Sequence, residues 1–190
     1  MCLNDEFISP NETDDIGLYR QAAEEGNALA QLWLGWMYRH GIGVSMDNQE
    51  AVKWYKKSAR QENADAQALL GFMYGTGQGV QQDYIEAVKW YRKAAEQGIA
   101  NAMFNMGCMY LDGLGVSQDF AEASKWYHEA AVRDNADAKF NLGLMYEEGK
   151  GVQSNRTEAK KWHRLAARQG HPDAKSRLIN TAALTLIINE

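Results

Sequence analysis

The chain has 190 residues, a formal net charge of −5 and a sequence pI near 5.4. That balance argues against a general nucleic-acid binder, which carries a basic footprint. Hydrophobic residues at 45% exclude a disordered chain, and 17 Gly against 2 Pro exclude collagen-like and Pro-rich linker compositions.

In chain order, residues 1–10 read as a flexible N-terminal segment. The opening MCLNDEFISPNETDD has no basic n-region and no apolar h-region. As it stands the sequence therefore reads as cytoplasmic, or as periplasmic or secreted if a signal peptide was removed. No stretch approaches the ~18 apolar residues of a membrane span, so no membrane partner is expected. Cys2 and Cys108 form no CxxC and no zinc spacing, and they read as free thiols of a reducing compartment. Residues 11–190 read as a single repeat domain. It comprises an N-terminal half-unit (11–26), four full units (27–62, 63–98, 99–134, 135–170) and a C-terminal capping helix (171–190).

The units follow from two gapless alignments. LGWMYRHGIGV (34–44), LGFMYGTGQGV (70–80), MGCMYLDGLGV (106–116) and LGLMYEEGKGV (142–152) lie 36 residues apart. So do AVKWYKKSA (51–59), AVKWYRKAA (87–95), ASKWYHEAA (123–131) and AKKWHRLAA (159–167). Each unit predicts two helices. The first follows an Asn N-cap at 27, 63 or 135 and ends at a GxGV turn, where Gly accepts the left-handed conformation. The second opens with an acidic capping box: Asn11/Asp14, Asp47/Glu50, Asp83/Glu86, Asp119/Glu122 and Asn155/Glu158. Gly35, Gly71, Gly107 and Gly143 sit inside the first helices, where Gly costs up to ~1 kcal/mol against Ala. Their recurrence predicts close approach of a Trp or Tyr from the paired helix.

These residues resemble the Sel-1-like repeats, relatives of the tetratricopeptide repeat, through the pattern AxAxxxLGxMYxxGxGVxxDxxxAxxWYxxAA over about residues 16–175. Departures are His163 in the Tyr column, Met106 in the Leu column, and LINTA at 178–182 in the last unit. The resemblance implies an all-α, right-handed α-α superhelix, or solenoid, of helix-turn-helix repeats. It also implies a bacterial adaptor that binds a protein or peptide partner on its concave face. An immunity protein that neutralises a toxin by occlusion is a narrower form of that expectation.

No GxSxG, HExxH or SxxK occurs, and the four histidines show no metal-ligand spacing. No catalytic, cofactor or metal residue is assigned, and an enzyme, for instance a hydrolase, is the alternative from another class. By the resemblance the first helices line the concave face. The candidate partner columns are Trp36, Phe72, Cys108 and Leu144; Leu32, Phe104 and Phe140; Arg39, Leu111 and Glu147; and His40, Asp112 and Glu148. Trp33 and Trp36 are the surplus tryptophans of the first unit. Together they predict an apolar groove running from Trp36 to Leu144, with Asp112, Glu147 and Glu148 gripping a basic residue of the partner. Leu184 and Ile188 lie off the apolar stripe of the last helix, and they are candidates for a homodimer contact. Charge is uneven as well. Residues 1–30 hold seven acids and one base, and residues 150–190 hold eight bases and three acids, a possible handle for a partner or for head-to-tail contact.

Overall fold

The structure, a computed structural model, describes residues 16–178. The helices are α1 (Ile16–Glu24), α2 (Ala28–His40), α3 (Asn48–Arg60), α4 (Ala64–Thr76), α5 (Tyr84–Glu96), α6 (Ala100–Asp112), α7 (Phe120–Val132), α8 (Ala136–Glu148) and α9 (Arg156–Arg168). Residues 172–178 are also helical, and no strand occurs among the described residues. The expected cap at Asn11/Asp14 lies outside them.

Each full unit is an antiparallel hairpin. The Ser58 hydroxyl at the end of α3 donates to the Ala28 carbonyl at the start of α2, at 2.7 Å. At the other end, the Asp47 amide donates to the Tyr38 carbonyl at 2.8 Å. Every helix packs against its neighbours in sequence, and α4 also touches α6 directly. The result is an all-α solenoid in which α2, α4, α6 and α8 form the first member of each pair.

The close approach predicted for the mid-helix glycines is made by the Tyr column. A Cβ added at Gly35, Gly71 or Gly107 would stand 2.7, 2.6 or 2.6 Å from Cδ1 of Tyr55, Tyr91 or Tyr127. At Gly143 it would stand 2.5 Å from Cε1 of His163. The ring packs closely against the backbone of the partner helix at that glycine, and the three tyrosines are fully buried. Trp54, Trp90 and Trp126 stay half-buried on the second helices.

The GxGV turn does two jobs. The first Gly, such as Gly77 with φ +72°, caps α4 and returns its N–H to the Met73 carbonyl. The second approaches the preceding unit: a Cβ on Gly79, at φ +69°, would meet the Asn48 carbonyl oxygen at 2.2 Å. Positive φ and backbone contact together require glycine there, and this joint stacks one unit on the last.

The capping boxes form only by half. Asp47, Asp83, Asp119 and Asn155 each accept from an amide of the first turn. Their own amides go to Tyr38, Tyr74, Tyr110 and Tyr146 carbonyls, at 2.8–3.0 Å. The glutamate three residues on is thereby left for a lysine one turn further: Lys89 to Glu86 at 2.9 Å, Lys125 to Glu122 at 2.8 Å and Lys161 to Glu158 at 3.2 Å. This corrects the reciprocal arm expected from the sequence, because the carbonyl of the LGxMY tyrosine is already in place.

Buried glutamines tie hairpins together. Gln31 donates to the Ala23 carbonyl of α1 at 3.0 Å and accepts from Gln61 at 2.8 Å. Gln67 donates to the Ala59 carbonyl of the preceding unit at 3.3 Å and accepts from Gln97 of its own unit at 2.8 Å.

Gly71→Ala tests the close approach. Overpacking against Tyr91 costs about 1–3 kcal/mol, against a helix-propensity gain of roughly 1 kcal/mol. Urea unfolding should show a net loss of stability. Gly98→Ala, where nothing stands within 4 Å of the new Cβ, should lose only the roughly 1 kcal/mol of left-handed strain.

Candidate partner-binding site on the first helices

The groove expected from Trp36 to Leu144 is interrupted. Leu32 (3% exposed), Phe72 (9%), Phe104 (2%) and Cys108 (2%) are buried in the main core cluster. The reason is the pitch of the solenoid. The first helices of adjacent units press on each other, so the columns that vary between units fill the seam rather than face solvent. Arg39 adds to this closure by laying its guanidinium over the Phe72 ring, 4.5 Å from the centroid. Leu111 and Leu144 are half-buried. Phe140 is sandwiched, stacked on His171 at 4.4 Å and tilted against His163 at 5.3 Å. The free-thiol reading of Cys108 is also corrected. Its sulfur is disulfide-bonded and accepts from the Tyr127 hydroxyl at 3.4 Å.

The acids expected to grip a partner are in part already used. Glu147 is ion-paired with Arg177, and Glu148 with Lys150 at 2.7 Å. Asp112 is exposed at the end of α6. Leu184 and Ile188 lie outside the described residues.

What stays accessible is the start of the array. Trp33 and Trp36 are half-buried, and their rings meet edge to face at 6.4 Å. Trp36 is held from behind by His40, whose ring stacks on it at 4.4 Å and whose Nδ1 lies 3.0 Å from the Trp36 carbonyl oxygen. Leu29, one turn before Trp33 on the same face, is 54% exposed. These side chains form one wall of a cleft of about 460 Å³. Asp65 and Leu69 of α4 and Gly98–Asn101, leading into α6, complete it. Ile99 replaces the Asn N-cap of the other units, and α6 has no side-chain cap, so an apolar side chain stands in this wall instead. A second cleft of about 360 Å³ lies on the far side of Leu29 and Trp33, against Leu18, Tyr19 and Ala22 of α1. Leu29 and Trp33 thus form a ridge between two hollows.

Asp65 is the one formally charged residue in the wall of the larger cleft. It makes no hydrogen bond or ion pair with any described residue. Burial among apolar neighbours raises its carboxyl above the ordinary carboxylate range. Sequence reasoning missed Leu29, Asp65 and Ile99. The available signal was Leu29 four residues before Trp33, with Asp65 one repeat later in the same column.

The ionisable cluster at the other end is structural. His163, in the place of a Tyr, is fully buried with Nε2 3.5 Å from Glu147. His171 lies 3.3 Å from Asp137. Burial lowers the His163 pKa; Glu147 opposes that, while Arg177 and His171 add to it. Among the described residues no group of three or more His, Cys, Asp or Glu is placed to hold a metal, and no helix is long and apolar enough to cross a membrane.

Because the folded His163 titrates below the unfolded value of about 6.5, its contribution is fully present above that pH. It is lost as pH falls from there through the folded value. His163→Tyr, which restores the repeat column, should therefore flatten the loss of stability between pH 7 and 5 in urea titrations.

Comparison with known proteins agrees with this geometry. The Sel1 repeat model matches residues 16–27, 28–63, 64–99, 100–134 and 136–171. No curated protein sequence matches the chain. The crystal structure of c5321, a protective antigen present in uropathogenic Escherichia coli strains, is 38% identical with a TM-score of 0.85, covering 87% of this chain and 36% of that one. A Sel1 repeat protein from Oxalobacter formigenes is 40% identical with a TM-score of 0.80, over 84% of this chain and 65% of that one. The chain thus spans about a third of the first relative and just under two thirds of the second. The immunity protein Pa5087 from Pseudomonas aeruginosa shares the fold at 23% identity and a TM-score of 0.57, over 90% of this chain and 64% of that one. Sel1 repeat proteins generally mediate protein–protein interactions, and their fold is typically a non-catalytic scaffold. This chain belongs to the Sel1 repeat family.

Proposed function

We propose that this chain is a non-catalytic protein-binding scaffold, and that its partner docks on the first helices at the Trp33–Trp36 cleft. One observation carries the reading. Two tryptophans that the repeat pattern does not require stand half-buried at a concave, largely apolar cleft, while Leu69, Phe72, Asn105 and Cys108 in the same columns of the next two units are buried. Tryptophans beside a water-excluding hollow are typical anchors of protein interfaces. The cleft volume falls in the usual range for a binding pocket.

The ionisable groups away from the cleft support the same reading. Many of them serve as helix caps, i,i+3 pairs and the Glu147–Arg177 contact, arrangements that hold helices rather than poise a reaction. The narrower role of an immunity protein draws only on a likeness of fold to the Pseudomonas protein, so it remains subordinate here.

The experiment is affinity capture from the native host with the tagged chain, followed by mass spectrometry. It is run in parallel with the Trp33→Ala/Trp36→Ala variant, whose fold is checked by circular dichroism. The proteins recovered by the wild type should be lost, or reduced about tenfold or more, with the folded variant. Equal recovery by both would overturn the placement of the site.

A further inference from the structure

We infer that the Trp33–Trp36 cleft takes a basic side chain, arginine or lysine, from a peptide segment that is otherwise apolar. The inference rests on the docking surface proposed above and names the chemistry of its occupant.

The wall of the cleft is apolar on three sides: Leu29, Trp33 and Trp36 from α2, Leu69 from α4, and Ile99 before α6. Asp65 is the single formally charged residue that borders it, and no Lys, Arg or His is among the described residues that line the cleft. Several other acids among the described residues are paired. Glu86, Glu122 and Glu158 each hold a lysine, Glu129 holds Arg133, and Asp137 faces His171. Asp65 has no such partner among the described residues. Its position in the first turn of α4 lets the helix dipole help hold its charge, but the dipole does not replace the water removed by the apolar wall. A cation from outside would do so.

The aromatic part of the wall suits the same guest. Indole faces attract guanidinium and ammonium groups, and the attraction grows when water is excluded. The chain shows the motif on its own surface, with Lys57 over Trp54 at 3.6 Å and Arg39 over Phe72 at 4.5 Å. Among the described residues no lysine or arginine lies over Trp33 or Trp36. An arginine entering the cleft would meet carboxylate and indole together, while apolar neighbours on the peptide would cover Leu29, Leu69 and Ile99. A wholly apolar segment would leave Asp65 buried without a counter-charge, which is costly.

The test uses the full chain and two acetylated, amidated peptides, Ala-Leu-Arg-Leu-Ala and its isosteric citrulline analogue. Binding is followed by tryptophan fluorescence and by the Asp65 carboxyl resonance. The arginine peptide should bind about tenfold or more tightly than the citrulline peptide, a gap of about 1.4 kcal/mol. The gap should shrink with salt, and it should vanish in Asp65→Asn. On binding, the Asp65 carboxyl should titrate at lower pH, because a cation now favours its ionised form. Equal affinity for the two peptides, a preference that survives Asp65→Asn, or no binding of either at millimolar concentration would overturn the inference. So would a concentration-dependent dimer abolished by Trp36→Ala, since the cleft would then serve a second copy. If partner capture still depends on Trp33 and Trp36 while the peptide preference is absent, the basic occupant fails and the docking surface stands.

Discussion

A tyrosine ring packed on a glycine of the partner helix is the contact on which this molecule depends. Gly35, Gly71 and Gly107 let Tyr55, Tyr91 and Tyr127 approach to distances that a Cβ would forbid. Helix propensity runs against glycine at these places by up to ~1 kcal/mol each. Complete burial of a large ring outweighs it, since burying one such side chain contributes about 1.5–3 kcal/mol. The contact also sets geometry. Hairpins drawn this close present a narrow edge, and the second glycine of each turn then docks on the backbone of the preceding unit. Pair spacing and stacking are therefore linked.

That geometry has a functional consequence. Close stacking shuts the seams between first helices, so Phe72, Phe104 and Cys108 become core. The exception is the first unit, which follows only the half-unit of α1. There no described residue covers the outward columns of α2, and Leu29, Trp33 and Trp36 keep a face in contact with solvent. The same repeat that builds the scaffold thus leaves an accessible tryptophan pair on the first helix of its first unit. The His163 substitution at the other end shows the same constraint in reverse. An ionisable ring occupies the tyrosine slot, lies against Gly143, and has its pKa lowered by the burial that the slot imposes.

The repeat architecture was legible in the sequence because it is written four times. The period, the asparagine caps, the glycine turns and the mid-helix glycines each state a local rule of backbone conformation or contact. The second helices begin where their Asx caps stand, at Asp47, Asp83, Asp119 and Asn155. The candidate site was less legible. A column that varies between units can vary because it faces a partner or because each seam is filled differently, and a linear pattern does not separate the two. Phe72 and Trp36 occupy the same column, yet one is nearly buried and the other is not. Asp65 escaped notice because a first-turn acid reads as a helix-dipole residue. Its isolation appears only once Trp33, Leu69 and Ile99 are brought around it. The capping glutamates went astray for a related reason: a carbonyl from the preceding helix, Tyr38 in the first unit, reached the amide first.

The central claim is that a protein partner is held at the Trp33–Trp36 cleft and not on the outer tryptophan column. Hydroxyl-radical footprinting of the chain, free and in complex with its captured partner, reads this residue by residue. The account predicts protection of Trp33, Trp36 and Leu29, with Trp54, Trp90 and Trp126 oxidised at unchanged rates. Protection of the outer tryptophans with Trp33 and Trp36 left as reactive as in the free chain would contradict it.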